Sequence, residues 1–342
     1  LLSSLLKTTS PTTPAGASLT RLWSFKPSVG AIDAFQTYTL QKGTAAQAEQ
    51  LVYAVVNALT MRWTDVEASL TGTIQGQVLS ESITITPTPT DIAALPVDPK
   101  SASVYVGSST SVNEVQTLLI NGATGTFVLT YEGQSTAAQA VAVTTANLQT
   151  ALQGLSTVGT NNATVTGVAG TNYVITFTGD LAGIDASTLV VSGFTGGPPT
   201  ITTTTPGGLT KLSRVSSFEF AMPERYVFPM TLNDADPSFS YVIPKAVEPR
   251  ATMILEHDSA AAALMADLRA RNTRYCRILC RGPAVEAGFP NRFSLTFPFK
   301  YITNTRADAA GVYSSTYTLA AIYDPTFAGF MQADVSCGIT AL

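Results

Sequence analysis

The sequence predicts a mainly β protein: an antiparallel sandwich or barrel with one helix, interrupted by a smaller β-rich unit that carries one helix of its own. Three observations lead there. Several segments alternate apolar and polar residues at period two, most plainly 292–301 and 311–324. Only two segments carry a helical apolar stripe. Finally, residues 110–208 contain no Lys or Arg, whereas six basic residues precede that stretch and thirteen follow it. Its acids Glu114, Glu132, Asp180 and Asp185 carry the whole formal charge of -4, because nineteen acids balance nineteen bases in the flanks. A composition break of this kind marks a separately built module, and ~100 residues suffice for a small core of its own. The expected organisation is an N-terminal arm (1–26), a first host half (27–109), an insert (110–208) and a second host half with a C-terminal tail (209–342).

Residues 1–26 mix Leu with Thr, Ser and Pro at no sustained period. Pro11, Pro14 and Pro27 interrupt helix and ladder alike, which predicts an extended arm. The chain is β-prone from Phe35 to Thr39, and Gly43 punctuates it. Residues 45–59 are rich in helix formers, yet Leu51, Tyr53, Val55, Leu59 and Met61 also fall on alternate positions. The next segment arbitrates: Val66, Ala68, Leu70, Gly72 and Ile74 alternate with Glu67, Ser69, Thr71 and Thr73. The preferred reading is strand–turn–strand over 51–79, turning at Trp63-Thr64-Asp65, with a helix as the alternative. Four prolines in 84–99 then predict a loop or edge segment before a short strand at 103–106.

In the insert, 114–121 and 126–131 read as strands around Gly122 and Gly125. Thr144-Thr145-Ala146 opens a helix, with a threonine as its N-cap, that carries Leu148, Leu152 and Leu155 at i, i+4 and i+7, with Gly159 beyond its end. A hairpin over 163–168 and 173–178 follows, then a last strand pair, 188–192 with 200–205, joined through Gly196-Gly197-Pro198-Pro199. Pro206-Gly207-Gly208 reads as an exit linker. The second host half opens with a strand at 215–222 whose apolar face carries Phe218, Phe220 and Met222. Asp258 or Ser259 caps a helix to about Arg271, with a stripe of Ala262, Met265, Ala266 and Leu268, basic residues Arg269 and Arg271 at its end, and Asn272 as the stop. Strands at 275–281, 292–301 and 311–324 complete the sheet. Phe293, Leu295, Phe297, Phe299 and Tyr301 share one face of theirs, and Tyr313, Tyr317, Leu319 and Tyr323 share one face of the last.

Charged residues make up 12% of the chain, about half the usual ~25%. So thin a charged coat predicts a surface covered by copies of the same chain, with a secreted Thr/Ser-rich protein as the alternative. The near-neutral flanks argue against a nucleic-acid or anionic-membrane binder. Cys276, Cys280 and Cys337 are odd in number and too few for a disulfide framework, which fits a reduced compartment. No run reaches the ~18 apolar residues of a membrane span, and the leading leucines lack the basic flank of a signal peptide.

The inventory for chemistry is short. The one histidine, His257, lies between Glu256 and Asp258 and reads as a polar residue at a helix start rather than a triad member. Nucleophile-elbow, phosphate-loop and zincin motifs are absent. Cys276 and Cys280 share a strand face with Ile278, as core cysteines do, and with His257 they lack a fourth zinc ligand. Asp234 and Asp236 lack the glycine and distant glutamate of a calcium loop and read as turn residues. The cluster Arg269, Arg271, Arg274, Arg277 and Arg281 fits a solvated helix end and intersubunit ion pairs better than a nucleic-acid face, because Tyr275 alone offers stacking. The expectation is a protein that is not an enzyme and uses no cofactor or metal.

The order of features resembles the major tail tube protein of long-tailed, siphovirus-type bacteriophages. The likeness rests on the arm, on Tyr53-Ala54-Val55-Val56-Asn57-Ala58-Leu59 running through Met61-Arg62-Trp63 into Glu67-Ala68-Ser69-Leu70-Thr71-Gly72-Thr73-Ile74, and on Val104-Tyr105-Val106. It resumes at Leu212-Ser213-Arg214-Val215-Ser216-Ser217-Phe218-Glu219-Phe220 and continues through the helix, the Arg-rich strand and Gly311-Val312-Tyr313. The insert resembles a module of phage virion proteins through Asn113-Glu114-Val115-Gln116-Thr117, Ala146-Asn147-Leu148-Gln149-Thr150-Ala151-Leu152 and Tyr173-Val174-Ile175-Thr176-Phe177. The resemblance implies a tail-tube-like β-sandwich or barrel that forms hexameric rings stacked into a conduit for double-stranded DNA, with the insert projecting outward. It also implies a virion location after synthesis in the bacterial cytoplasm, and tape measure, tail tip and terminator proteins as partners. On that reading Leu5, Leu6, Tyr53, Val55, Leu59, Met61, Trp63, Leu70, Ile74, Arg277 and Arg281 are candidate intersubunit contacts. The alternative function is a secreted or surface-displayed adhesion protein that binds glycans.

Overall fold

Thirteen strands from the two flanks join one antiparallel sheet in the computed structural model, which describes every residue except 29–31, 45, 86–97, 232–237, 257–258, 310–311 and 341–342. Before the insert come β1 (Arg21–Phe25), β2 (Tyr38–Gly43), β3 (Ala48–Thr64), β4 (Ala68–Gln75), β5 (Val78–Glu81) and β6 (Ser103–Gly107). After it come β7 (Leu209–Lys211), β8 (Val215–Met222), β9 (Arg250–Glu256), β10 (Arg274–Glu286), β11 (Phe289–Ala309), β12 (Val312–Ala321) and β13 (Gln332–Cys337). The order is β7-β6-β10-β11-β12-β9-β8-β3-β2; β4 and β5 flank the other side of β3, and β13 then β1 branch from β11. The mainly β class and the long hairpin β3–β4 are as the alternation predicts.

Two strands hold this sheet together by changing partners along their length. Residues 292–296 of β11 pair with β13, and residues 299–309 pair with β12 across a register shift between Tyr301 and Thr303. Strand β3 does the same, pairing β2 and β5 near its start and β8 and β4 near its end. The sheet also curls over. Phe220 on β8 and Phe297 on β11 have ring centroids 5.1 Å apart, and Trp63 on β3 stacks 5.9 Å from Phe293. Strands β9 and β12 lie between β8 and β11 in the sheet, so a flat sheet would hold those phenylalanines ~14 Å apart at ~4.8 Å per strand step. The two halves therefore face each other around one core that includes Phe218, Met253, Ile278, Leu295, Phe299 and Leu319.

Several expectations are corrected. Residues 1–26 do not form an extended arm. Leu2–Leu5 is a short helix, and Leu5 and Leu6 are buried in the host core. The Val56 amide donates to Ser4 Oγ at 2.9 Å and the Tyr226 hydroxyl donates to the Ser4 carbonyl at 2.9 Å, so tertiary partners replace the periodicity that this segment lacks. Strand β9 shows no clear period in the sequence because Ile254 on its outer face blurs the alternation of Ala251, Met253 and Leu255. Strand β13 has one fully buried residue, Ala333, and is extended because β11 and β1 bond it on both sides. The helix Ser259–Ala270 packs through Leu264, Met265 and Leu268 rather than through Ala262 and Ala266, since the larger side chains claim the buried face.

The insert holds a four-stranded sheet, Ala163–Val168, Asn172–Phe177, Val115–Leu119 and Thr200–Thr205 in that order, and a second set around Thr126–Tyr131. Thr144 caps the helix Thr145–Gln153 by accepting the Asn147 amide at 3.2 Å, and Leu148 and Leu152 are buried, as predicted. The expected pair of 188–192 with 200–205 does not form. Val190–Ser192 pairs with Thr126–Tyr131 and Thr200–Thr205 with Val115–Leu119, so the segment between them crosses from one sheet to the other. Gly207 and Gly208 are not a loose linker either: a Cβ on Gly207 would strike the Ile184 carbonyl, and one on Gly208 the Ser109 carbonyl. Glycine there permits close backbone approach.

Candidate assembly surface and insert seam

The long hairpin presents two different faces. Leu59 and Met61 pack in the host core with Leu5 and Leu6, half-buried Trp63 stacks on Phe293, and Val55 is fully buried outside that cluster. These six candidate contacts are occupied inside the chain. Tyr53, Leu70 and Ile74 are 40%, 52% and 44% exposed. Alternation would have placed Val55 on the same face as Leu59 and Met61, but a register shift between Val56 and Ala58 puts Val56 in the core instead, and Tyr53, at a φ of 53°, stays exposed. Strand β4 pairs only with β3 among the described residues, so its other edge is open over Ala68–Gln75. An open eight-residue edge bearing Leu70 and Ile74, with Val66 exposed at the turn and Leu79 on β5, is an invitation to another strand.

Arg277 and Arg281 are engaged elsewhere. Strand β10 buries Cys276, Ile278 and Cys280 on its inner face and Tyr275 and Leu279 on its outer face, because the insert covers the outer face. Tyr105, Leu209, Tyr275 and Leu279 of the host belong to the same apolar cluster as Leu118, Phe127, Tyr173 and Phe177 of the insert. Around this apolar contact the host supplies cations. Arg277 donates to the Ala182 carbonyl and, at 3.2 Å, to Thr296 Oγ1; Arg281 donates to the Thr157 carbonyl at 3.0 Å; Arg292 pairs with Asp180. A cavity of about 500 Å³ at this seam is lined by Arg277, Arg292, Lys26, Asp180 and Asp334. Burial lowers the pKa of Arg277 and Arg292 while the charge of Asp334 opposes that shift, and guanidinium groups start so high that both stay charged. The insert thus lies flat on the host sheet rather than hanging from two tethers.

Sequence reasoning missed this seam, although its signal was present. Arg277 and Arg281 occupy the face of β10 opposite the core cysteines, and the insert's charges are all acidic. It also missed Glu286, which accepts the Ser18, Leu19 and Thr20 amides and the Ser18 hydroxyl, so that these bonds bring its pKa down to about 2. Nothing local in residues 15–20 announces that partner.

Reactive groups do not converge on either surface. Burial pushes the Cys276 thiol far up and that of Cys280 to about 12, which disfavours thiolate chemistry in both. Among the described residues no three His, Cys, Asp or Glu side chains gather as a metal site. His257, Asp258, Asp234 and Asp236 lie outside the described residues. No helix of the described chain is long and apolar enough to cross a membrane.

No protein-family model matches the chain, and no curated protein matches it.

Proposed function

We propose that this chain is a structural virion subunit that polymerises as stacked rings into the tail tube of a long-tailed bacteriophage, the conduit for its double-stranded DNA. The observation that carries the reading is the open edge of β4, with Leu70, Ile74 and Tyr53 exposed on one long hairpin of a protein that has few charges to keep it monomeric. A head-to-tail contact between such an edge and a different face of a second copy closes into a ring when its rotation permits, and stacked rings make a tube. The order of hairpin, strand Val215–Met222, helix and Arg-rich strand supports the same reading. Tape measure, tail tip and terminator proteins would meet the tube at its lumen and ends. Catalysis plays no part in this role. Electron microscopy of purified protein across a concentration series is expected to show hollow tubes or rings; a monodisperse monomer at every concentration overturns the proposal.

A further inference from the structure

The insert buries one carboxylate, Glu114, at 1% exposure, and three donors surround it. Gly207 N–H donates to Oε2 at 2.8 Å, while the Gln116 amide and the Thr203 hydroxyl both donate to Oε1 at 3.1 Å. Gln116 itself is fully buried, and its amide is clamped: Nε2 also donates to the Ser187 carbonyl at 3.1 Å, and Oε1 accepts the Leu189 amide at 2.9 Å. Thr203 and Gln116 are direct cross-strand partners, which sets their Cβ atoms ~5 Å apart on one face. Because both groups donate to the same Glu114 oxygen, the hydroxyl is held beside the amide group. A register shift between Thr203 and Thr205 follows at once, a local bend that leaves Thr203 on the exposed side of the network.

We infer that Thr203, Glu114 and Gln116 form an autocatalytic site that joins the Thr203 side chain to the Gln116 side chain through an intramolecular ester. The Glu114 carboxylate takes the Thr203 hydroxyl proton, and Oγ1 adds to the Gln116 amide carbon. Charge moves onto Oε1, where the Leu189 N–H stabilises it as an oxyanion-hole donor does. Glu114 returns the proton to Nε2, the carbon–nitrogen bond breaks, ammonia leaves on the exposed side and the carbonyl reforms. One hydroxyl and one primary amide become one ester and one ammonia, and no oxidant or other reactant enters. Burial and the charge of Asp185 raise the Glu114 pKa against the pull of its three donors, which strengthens the carboxylate as a base. Held nucleophile, base and electrophile supply the proximity on which such a reaction depends.

The bond would tie the first strand of the insert's four-stranded sheet, Val115–Leu119, to its last, Thr200–Thr205. Tension entering the insert at one junction would then leave at the other without unfolding it. Cysteine and lysine, the usual sources of side-chain cross-links, are absent from the insert. The inference is independent of the tube reading.

The test is the intact mass of the denatured full-length chain. The expected value is one ammonia below the mass of the sequence, with cleavage after Glu132 leaving the Gln116 and Thr203 peptides joined. Thr203→Ala and Glu114→Gln should restore the full mass and separate the peptides, while Thr203→Ser should keep the loss. Because mass is read on unfolded protein, wild-type chain at its full mass overturns the inference whatever the variants do. So does a loss that survives in Thr203→Ala, which would place it at another amide such as Asn121 beside Gly122.

Discussion

Glu286 shows how a single half-buried carboxylate can organise a segment that has no regular structure of its own. Residues 18–20 follow Pro14 and Gly16, leave Ser18 and Leu19 exposed, and present three amides to one side chain. The carboxylate is favoured by those donors in the folded chain alone, so its folded pKa, about 2, lies below its ordinary 4.5. A group depressed in this way contributes fully above about 4.5, and its contribution fades as pH falls toward about 2. Amide exchange at Ser18, Leu19 and Thr20 is accordingly expected to lose protection across that window in the wild type. Glu286→Gln, which keeps the shape but not the charge, should show weak protection there at neutral pH, with exchange elsewhere unchanged; protection that ignores both changes contradicts this account.

At the scale of elements, β3 and β4 differ although they read alike in the sequence. Both alternate, but β3 is bonded on two sides and covered by the core, whereas β4 has one partner and is exposed along nearly its whole length. Period-two alternation reports that a strand has two unlike faces, and it does not report whether either face is covered within the chain. The helices show the same limit: Thr144 and Leu148 marked the insert helix in advance, while the buried stripe of Ser259–Ala270 depended on which side chains the core had room for. Replacing Leu70 and Ile74 with Lys removes exposed apolar area and adds like charge to an open edge. Rings or tubes should be lost, while the thermal midpoint of the monomer holds, since exposed substitutions usually shift stability by no more than ~0.5 kcal/mol. Normal assembly of the double variant would move the contact to another surface.

Across the whole molecule the insert and the host are one construction, despite the charge break between them. The apolar cluster of the insert includes Tyr105, Leu209, Tyr275 and Leu279 of the host, and the seam also holds the Arg292–Asp180 pair in a poorly solvated place. Breaking such a pair by removing one partner costs ~3–5 kcal/mol, because the remaining charge stays buried without compensation. Excising 110–208 and rejoining the host by a short linker frees Arg292 to water but uncovers Tyr105, Leu209, Tyr275 and Leu279, and should give a chain that is far less soluble and melts well below the full protein. A host that remains soluble with an unchanged melting temperature would show the seam to be incidental. The compositional boundary is real, but it separates sources of charge rather than independent bodies.

The amino-acid sequence by itself determined the mainly β class, the hairpin, the insert helix with a threonine cap, and the core faces of the Phe-rich strands. Each of these is a local property: side-chain period, turn chemistry and capping act over a few residues and leave their mark in order along the chain. The tertiary structure alone decided that Leu5 and Leu6 enter the core, that Arg277 and Arg281 hold the insert, and that Glu114, Gln116 and Thr203 meet. Those contacts join residues separated by tens to hundreds of positions, for which a strand's alternation names a face but no partner. Only the curling of one continuous sheet, and the seating of the insert upon it, chose the partners.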